Sequence, residues 1–194
     1  MPTAGSRTQA QRRATTRASL LDAAGGVFAE RGYHGATVDE IARSVQLSKG
    51  AVYHHFESKE ALFLALLERR LEDRLRAIVH AAGPDAAGAD LLANVERDSR
   101  WAPLLFEFVA VSARDPTLRE RFRERFLLRV RETITPLLQE RFGIEDRDRA
   151  MRIAIALDAL GNGMILERLF DRDGVPDDLL GSAMGALVKG LSRD

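Results

Sequence analysis

The stretch TVDEIARSVQLSKGAVYHHFESKEALF, Thr37 to Phe63, decides how this chain is read. It holds three helix starts in a row. Thr37 and Glu40, three residues apart, fit a capping box, in which each side chain satisfies the other's free backbone N–H. Val38, Ile41, Ala42 and Val45 then fall on one apolar face. After the interruption QLS, Ser48 is placed to cap the helix KGAVYHHF, and Ser58 to cap KEALFLALLERRLEDRLRAIVHAA. Two short helices joined by a tight turn, ahead of a long one, predict a helix-turn-helix. In such a unit the second helix lies in the DNA major groove with its N-terminal residues nearest the base edges, and the first crosses the backbone.

The residue types suit that task. Val52 and Phe56, four apart, share a core-facing side; Gly50 and His54 fall opposite, with Ala51 and Tyr53 on the flanks. Gly50 and Ala51 let the backbone approach a groove closely. Lys49 can reach a base or a phosphate, and Tyr53 and His55 are donors suited to phosphate oxygens, which take a large share of protein–DNA hydrogen bonds. The free N–H groups after Thr37 and Ser48 suit phosphate as well, and Lys59 adds a backbone contact. The pair His54–His55 also raises metal binding. Adjacent helical residues point about 100° apart, and no carboxylate or third histidine stands at ligand spacing, so a groove-facing role explains the pair better.

Composition narrows the alternatives. The chain has 194 residues, 45% hydrophobic and 30% charged, with 29 Lys+Arg against 29 Asp+Glu. Zero net charge argues against coating nucleic acid along the whole surface but leaves room for a local basic patch. The absence of cysteine excludes disulfides, thiol catalysis and Cys-ligated zinc. No apolar run reaches the roughly 18 residues of a membrane span, and the N-terminus lacks a secretory h-region, so a soluble cytoplasmic protein without a membrane partner is expected. No catalytic triad, metal cluster or phosphate-binding glycine loop is present, which argues against an enzyme and against a resident cofactor or metal.

The rest of the chain reads as all-α. Residues 1–13 are polar, small and basic, and are expected to form a flexible arm with Arg7, Arg12 and Arg13. From about Thr16, Leu20, Ala24, Val27 and Phe28 form one helical face that ends at Gly32, with Arg17 near its start. Beyond the long helix, GPDAAG reads as a loop. Helices follow over about Ala89–Asp98, Trp101–Arg114, Thr117–Arg141, Asp146–Asp171 and Asp177–Leu191. RERFRERF (119–126) is a stripe of Leu118, Phe122 and Phe126 flanked by paired charges, not a second nucleic-acid surface.

Gly32–Tyr33, T-x-x-x-I-A at Thr37–Ala42, S-K-G-x-x-Y-x-H-F at Ser48–Phe56 and S-K-E-A-L at Ser58–Leu62 together resemble the DNA-binding signature of TetR-family transcriptional regulators. The resemblance covers about Arg17–Phe63. It implies an N-terminal three-helix DNA-binding domain (14–63), joined by a long helix to a larger helical ligand-binding and dimerisation domain (64–194). It implies DNA contacts at Thr37, Lys49, Gly50, Ala51, Tyr53, His54, His55 and Lys59, to which the residues themselves add Ser48, ahead of the free N–H groups of its helix, and Arg17, at the start of the first helix. It further implies a homodimer on a near-palindromic double-stranded operator, released by a mostly apolar small-molecule effector. Two departures stand out. Val45–Gln46 replaces the family's usual Ala-Gly in the turn, so Gln46 must take a conformation that glycine eases. Ala51 stands where Thr or Ser is frequent, removing a polar contact. Both bear on the operator sequence.

The larger domain is less diagnostic. IAIALDALGNGMILERLF and LLGSAMGALVKGL are rich in small and apolar residues and suit a four-helix interface made by two copies of each helix. Ala154, Leu157, Leu160, Gly161, Met164, Leu180, Met184 and Leu187 are the interface candidates. Trp101, Leu105, Phe106, Phe108, Phe122, Phe126, Met151 and Ile155 are candidate apolar pocket walls, and Glu107, Asp158 and Asn162 candidate polar groups within it.

Overall fold

The computed structural model describes residues 8–97 and 100–192. Those residues form helices and no strand, as expected. They divide into two compact units, Met1–Leu66 and Leu67–Asp194. Residues 9–13 of the expected arm are helical. Residues 1–7, Arg7 included, lie outside the described part, and Arg12 and Arg13 already belong to α1 (Gln9–Gly35). The reason is a capping box at Thr8, eight residues upstream of the expected start at about Thr16. The Thr8 N–H donates to Gln11 Oε1 at 2.8 Å, and the Gln11 N–H donates to Thr8 Oγ1 at 3.2 Å. At the other end α1 is interrupted at Gly32, whose φ of 71° no β-carbon opposes.

In the first unit α2 (Val38–Ser44) and α3 (Lys49–His55) follow, and α4 (Lys59–His80) begins. Leu20, Ala24, Phe28, Ile41, Val52 and Phe56 are buried there. Phe63, at the start of α4, meets Phe28 edge-on at 4.9 Å and Tyr33 at 5.2 Å between ring centroids.

The α2–α3 turn is a Schellman motif. The Leu47 N–H donates to Ala42 O at 2.9 Å and the Gln46 N–H to Arg43 O at 3.1 Å. This motif needs a left-handed residue just past the helix, and Gln46 supplies it with φ of 57°.

The second unit is all helix: α5 (Pro84–Arg97), α6 (Trp101–Arg114), α7 (Pro116–Phe122), a π turn (Arg123–Leu127) leading into α8 (Leu128–Phe142), α9 (Arg147–Phe170) and α10 (Leu179–Leu191). The expected loop GPDAAG is largely the first turns of α5. Pro84 opens the helix at the position where its missing N–H costs nothing, and the Ala87 N–H donates to Gly83 O at 3.0 Å. The glycine that suggested a loop, Gly88, is a packing residue: a β-carbon on it would lie 2.5 Å from the Gly181 backbone nitrogen of α10. Phe108, Phe122 and Phe126 are buried, with Phe122 stacked on Phe126 at 5.0 Å. Around them Arg123 pairs with Glu120 at 2.8 Å, which makes RERFRERF the apolar stripe and solvated face read from the sequence.

Two substitutions test this packing by urea unfolding. Gly181→Ala places its β-carbon 2.5 Å from Asp85 O, so a loss of about 1–3 kcal/mol or more is expected; unchanged stability would mean that α5 and α10 lie further apart. Gln46→Gly relieves the left-handed strain and is expected to gain about 0.5–1 kcal/mol; a loss would place Gln46 outside that conformation.

Candidate nucleic-acid interface

The surface of interest is the outer side of α3 with the ends of the helices around it. Ser48 caps α3, its hydroxyl accepting the Ala51 N–H at 3.1 Å. Thr37 caps α2 reciprocally with Glu40: the Glu40 N–H donates to Thr37 Oγ1 at 3.2 Å, and the Thr37 N–H to Glu40 Oε2 at 3.1 Å. The bond from the Thr37 hydroxyl, then that from the Thr37 N–H, hold the Glu40 carboxyl below its ordinary pKa. The Thr37 hydroxyl also donates to Glu40 Oε2 at 2.9 Å, so the side chain works within its own helix start.

With Val52 and Phe56 buried, α3 has one orientation, and the remaining side chains follow from it. Lys49, Gly50, Tyr53 and His54 are exposed, and Ala51 and His55 half-buried. Tyr53 keeps 44% of its surface exposed. Lys49 is tied to Asp39 of α2 at 3.0 Å, which raises its pKa through that hydrogen bond and charge. The pair is half-exposed on both sides, so it positions the ammonium at little energetic cost to releasing it. The histidines divide as their positions on the helix require. His54 faces outward, whereas His55 lies beside Phe56, and burial, then the charges of His54, Arg13 and Arg17, lower its pKa.

Two expected contacts sit differently. Arg17 places its guanidinium 4.9 Å from the Phe56 ring centroid, a cation–π contact that brings α1 to the end of α3 while the side chain stays exposed. Lys59 is committed inward. Its ammonium donates to the carbonyls of Tyr33 at 2.8 Å, Ala36 at 3.2 Å and His34 at 3.5 Å, and lies 4.7 Å from the Tyr33 ring centroid. Gly32 turns the chain so that these carbonyls converge, and a lysine then caps them as it would a helix C-terminus. Lys59 thereby positions the start of α4, its ammonium engaged by these carbonyls.

The residues proposed for the second unit scatter. Phe108, Phe122 and Phe126 pack on one another in the core, Trp101 lies against Arg70, and Thr135 Oγ1 approaches the Met151 sulfur at 3.7 Å. Leu105, Phe106, Glu107 and Asn162 are half-buried, and Ile155 faces outward. An apolar cavity lies elsewhere, among the C-terminal ends of α4 and α8, the start of α5, and α9 and α10. Of the predicted pocket residues only Asp158 lines it, beside Arg74, Arg141, Leu91, Leu138 and Leu157. Phe108, Phe122 and Phe126 fill space in the core and do not border this cavity. The usable signal was Arg74, an arginine within the apolar stripe Leu67, Leu71 and Ile78 of α4.

The interface candidates divide as well. Ala154, Leu157, Gly161, Leu180 and Met184 are buried within the chain itself, whereas Leu160, Met164 and Leu187 are only half-buried. The outward faces are one step around each helix: Ile155, Ala159, Gly163, Leu166 and Phe170 on α9, and Leu179, Ala186 and Gly190 on α10.

A capped helix-turn-helix with an outward basic and aromatic face defines a DNA-binding regulator. Comparison with known proteins agrees. Residues 20–66 match the model of the tetR family of bacterial regulatory proteins, and residues 71–192 that of the C-terminal region of BetI-type transcriptional repressors. The chain belongs to the TetR family, whose members regulate transcription and are not enzymes. It is 39% identical over 108 residues to the HTH-type transcriptional repressor AcnR of Corynebacterium diphtheriae, over 56% of each chain. It is 37% identical over 99 residues to the HTH-type transcriptional activator FasR of Mycolicibacterium smegmatis, over 47% of this chain and 45% of that one. These matches span only about half the length of either relative. Over nearly the whole chain, 90% of this one and 95% of the other, it resembles the structure of a transcriptional regulator from Rhodococcus sp. Rha1, with a TM-score of 0.68 and 28% identity. Among the described residues no helix is long and apolar enough to cross a membrane.

The lowered pKa of His55 gives a measurable sign. As pH falls through the ordinary histidine range, about 6.5, the unfolded chain takes up the proton first, so acid removes stability from the fold. His55→Gln is expected to flatten that part of the melting-temperature profile between pH 8 and pH 5.5. A profile identical to that of the wild type would show that His55 is not held neutral.

Proposed function

We propose that the protein is a TetR-type transcriptional repressor that binds a palindromic operator as a homodimer and is released by a mostly apolar small molecule. The observation that carries the DNA reading is α3: a seven-residue helix held by Val52 and Phe56 with Lys49, Gly50, Tyr53 and His54 all outward. Lys49, Gly50, Ala51 and His54 are the groove-facing set. Thr37, Ser48, Tyr53, His55 and Arg17 flank it toward phosphates, with Lys59 holding the scaffold from behind. Similarity to a curated repressor favours repression.

The dimer reading rests on the outer faces of α9 and α10. Ile155, Ala159, Gly163, Leu166 and Phe170 recur at three- and four-residue steps on one side of α9, with Phe170 85% exposed. Leu179, Ala186 and Gly190 continue the apolar and small character on α10. An apolar face with small residues at its centre suits close packing against a second copy of the same two helices. The effector reading follows from the cavity in the second unit, and the ligand acts by binding the DNA-competent and released states unequally.

Selection of bound sequences from random double-stranded DNA with the purified protein is expected to enrich a palindrome with half-sites about one helical turn apart. Enrichment of nothing, or of a single unrepeated site, would refute the operator reading. Phe170→Glu, buried against a partner, should yield monomers in light scattering and lose operator affinity at least ten-fold, with the melting temperature of the monomer unit kept. A Phe170→Glu protein that remains dimeric would remove α9 from the interface.

A further inference from the structure

The cavity of the second unit is lined almost wholly by carbon. Three charged side chains reach it: Arg74 from α4, Asp158 from α9 and Arg141 from α8. Two cations against one anion leave a surplus positive charge in an apolar space of about 80 Å³. Arg141 spends its guanidinium on carbonyls at the C-terminal end of α4, donating to Val79 O and, just past the helix, to Ala81 O.

Arg74 is different. Its side chain is 17% exposed, and Nη2 meets Asp158 Oδ1 at 3.4 Å, a single long contact. Nε is buried with no hydrogen-bond partner among the described residues. Gly161 of α9 packs beside the head group: a β-carbon there would touch Arg74 Nη2 at an ordinary 3.7 Å and crowd Leu91 Cδ2 at 3.1 Å. A guanidinium is built to meet a carboxylate with two parallel hydrogen bonds. Asp158 takes only one of them, and a buried donor left unmade is costly.

We propose that this cavity binds a small monocarboxylic acid with an apolar tail, its carboxylate anchored by Arg74 and its tail lying between Ile78, Leu91, Leu138 and Met184. The inference deepens the effector reading and rests on it. The acid supplies the second carboxylate oxygen pair that Arg74 lacks and neutralises the surplus charge. An amine of the same length would meet two guanidiniums, and an alcohol would leave the charge unbalanced. The volume, below the roughly 300–1,000 Å³ of drug-sized sites, selects a short chain.

The test is calorimetry on the full-length protein with butyrate, hexanoate, octanoate and decanoate, and with 1-octanol and octylamine. Affinity should rise roughly four-fold per methylene until the cavity is full. Octanoate should bind at least ten-fold more tightly than octanol or octylamine. Equal or tighter binding of the amine or the alcohol overturns the proposal, as does no binding by any acid of the series. Asp158→Asn frees Arg74 without deleting it and should tighten octanoate at least three-fold; weaker binding contradicts the anchor. Arg74→Met combined with Asp158→Leu avoids leaving a buried lone carboxylate. It should weaken octanoate ten-fold or more while sparing octanol, and wild-type octanoate affinity in that variant overturns the assignment. Release of selected DNA is read separately. Octanoate that binds without releasing DNA sinks the effector reading and leaves the site. Specific DNA binding with no acid bound sinks the site alone.

Discussion

A helix of seven residues does not hold its shape alone in water. Both α2 and α3 are that short, so the DNA-reading surface depends on what fixes their ends and their buried sides. Each end is accounted for. Thr37 with Glu40 starts α2, Ser48 starts α3, and the Schellman turn through Gln46 closes α2 while setting the direction of α3. Val52 and Phe56 then choose which side faces the core, and everything said about Lys49, Tyr53 and His54 follows from that choice. The chain accepts a left-handed glutamine at the one position where glycine would be easier.

The same constraint explains the division of labour among the cations. A lysine at the start of α4 reads from sequence as a phosphate ligand, but three carbonyls left by the break at Gly32 capture it first. Arg17 lies over Phe56 and still reaches solvent, so it can support α3 and remain available to a phosphate. The histidine pair, which first suggests a metal site, divides into an outward His54 and a half-buried His55 because adjacent residues on one helix cannot face one way.

Much of the first unit was legible because its signals are local. Caps, a four-residue apolar step and a turn residue are all written within a few positions, and each appears where Thr37, Ser48, Val52 and Gln46 predicted. The second unit was legible as helices but not as a site. Phe108, Phe122 and Phe126 looked like pocket walls and are core, because nothing local distinguishes a ring that fills space from one that borders it. Ala154, Gly161 and Leu180 looked like a dimer face and are buried in the chain, since small apolar residues serve both purposes. Gly88 looked like a loop, and only its close approach to Gly181, almost a hundred residues away, reveals a helix crossing.

The central claim is that α3 enters the major groove, once in each half of a two-fold site. Methylation interference on a selected operator measures this directly, because guanine N7 lies in the major groove. Two clusters of interference centred about one helical turn apart, lost together when Tyr53 and His54 are replaced by alanine, are the predicted result. Interference confined to adenine N3 in the minor groove, or a pattern unchanged by those replacements, would contradict it.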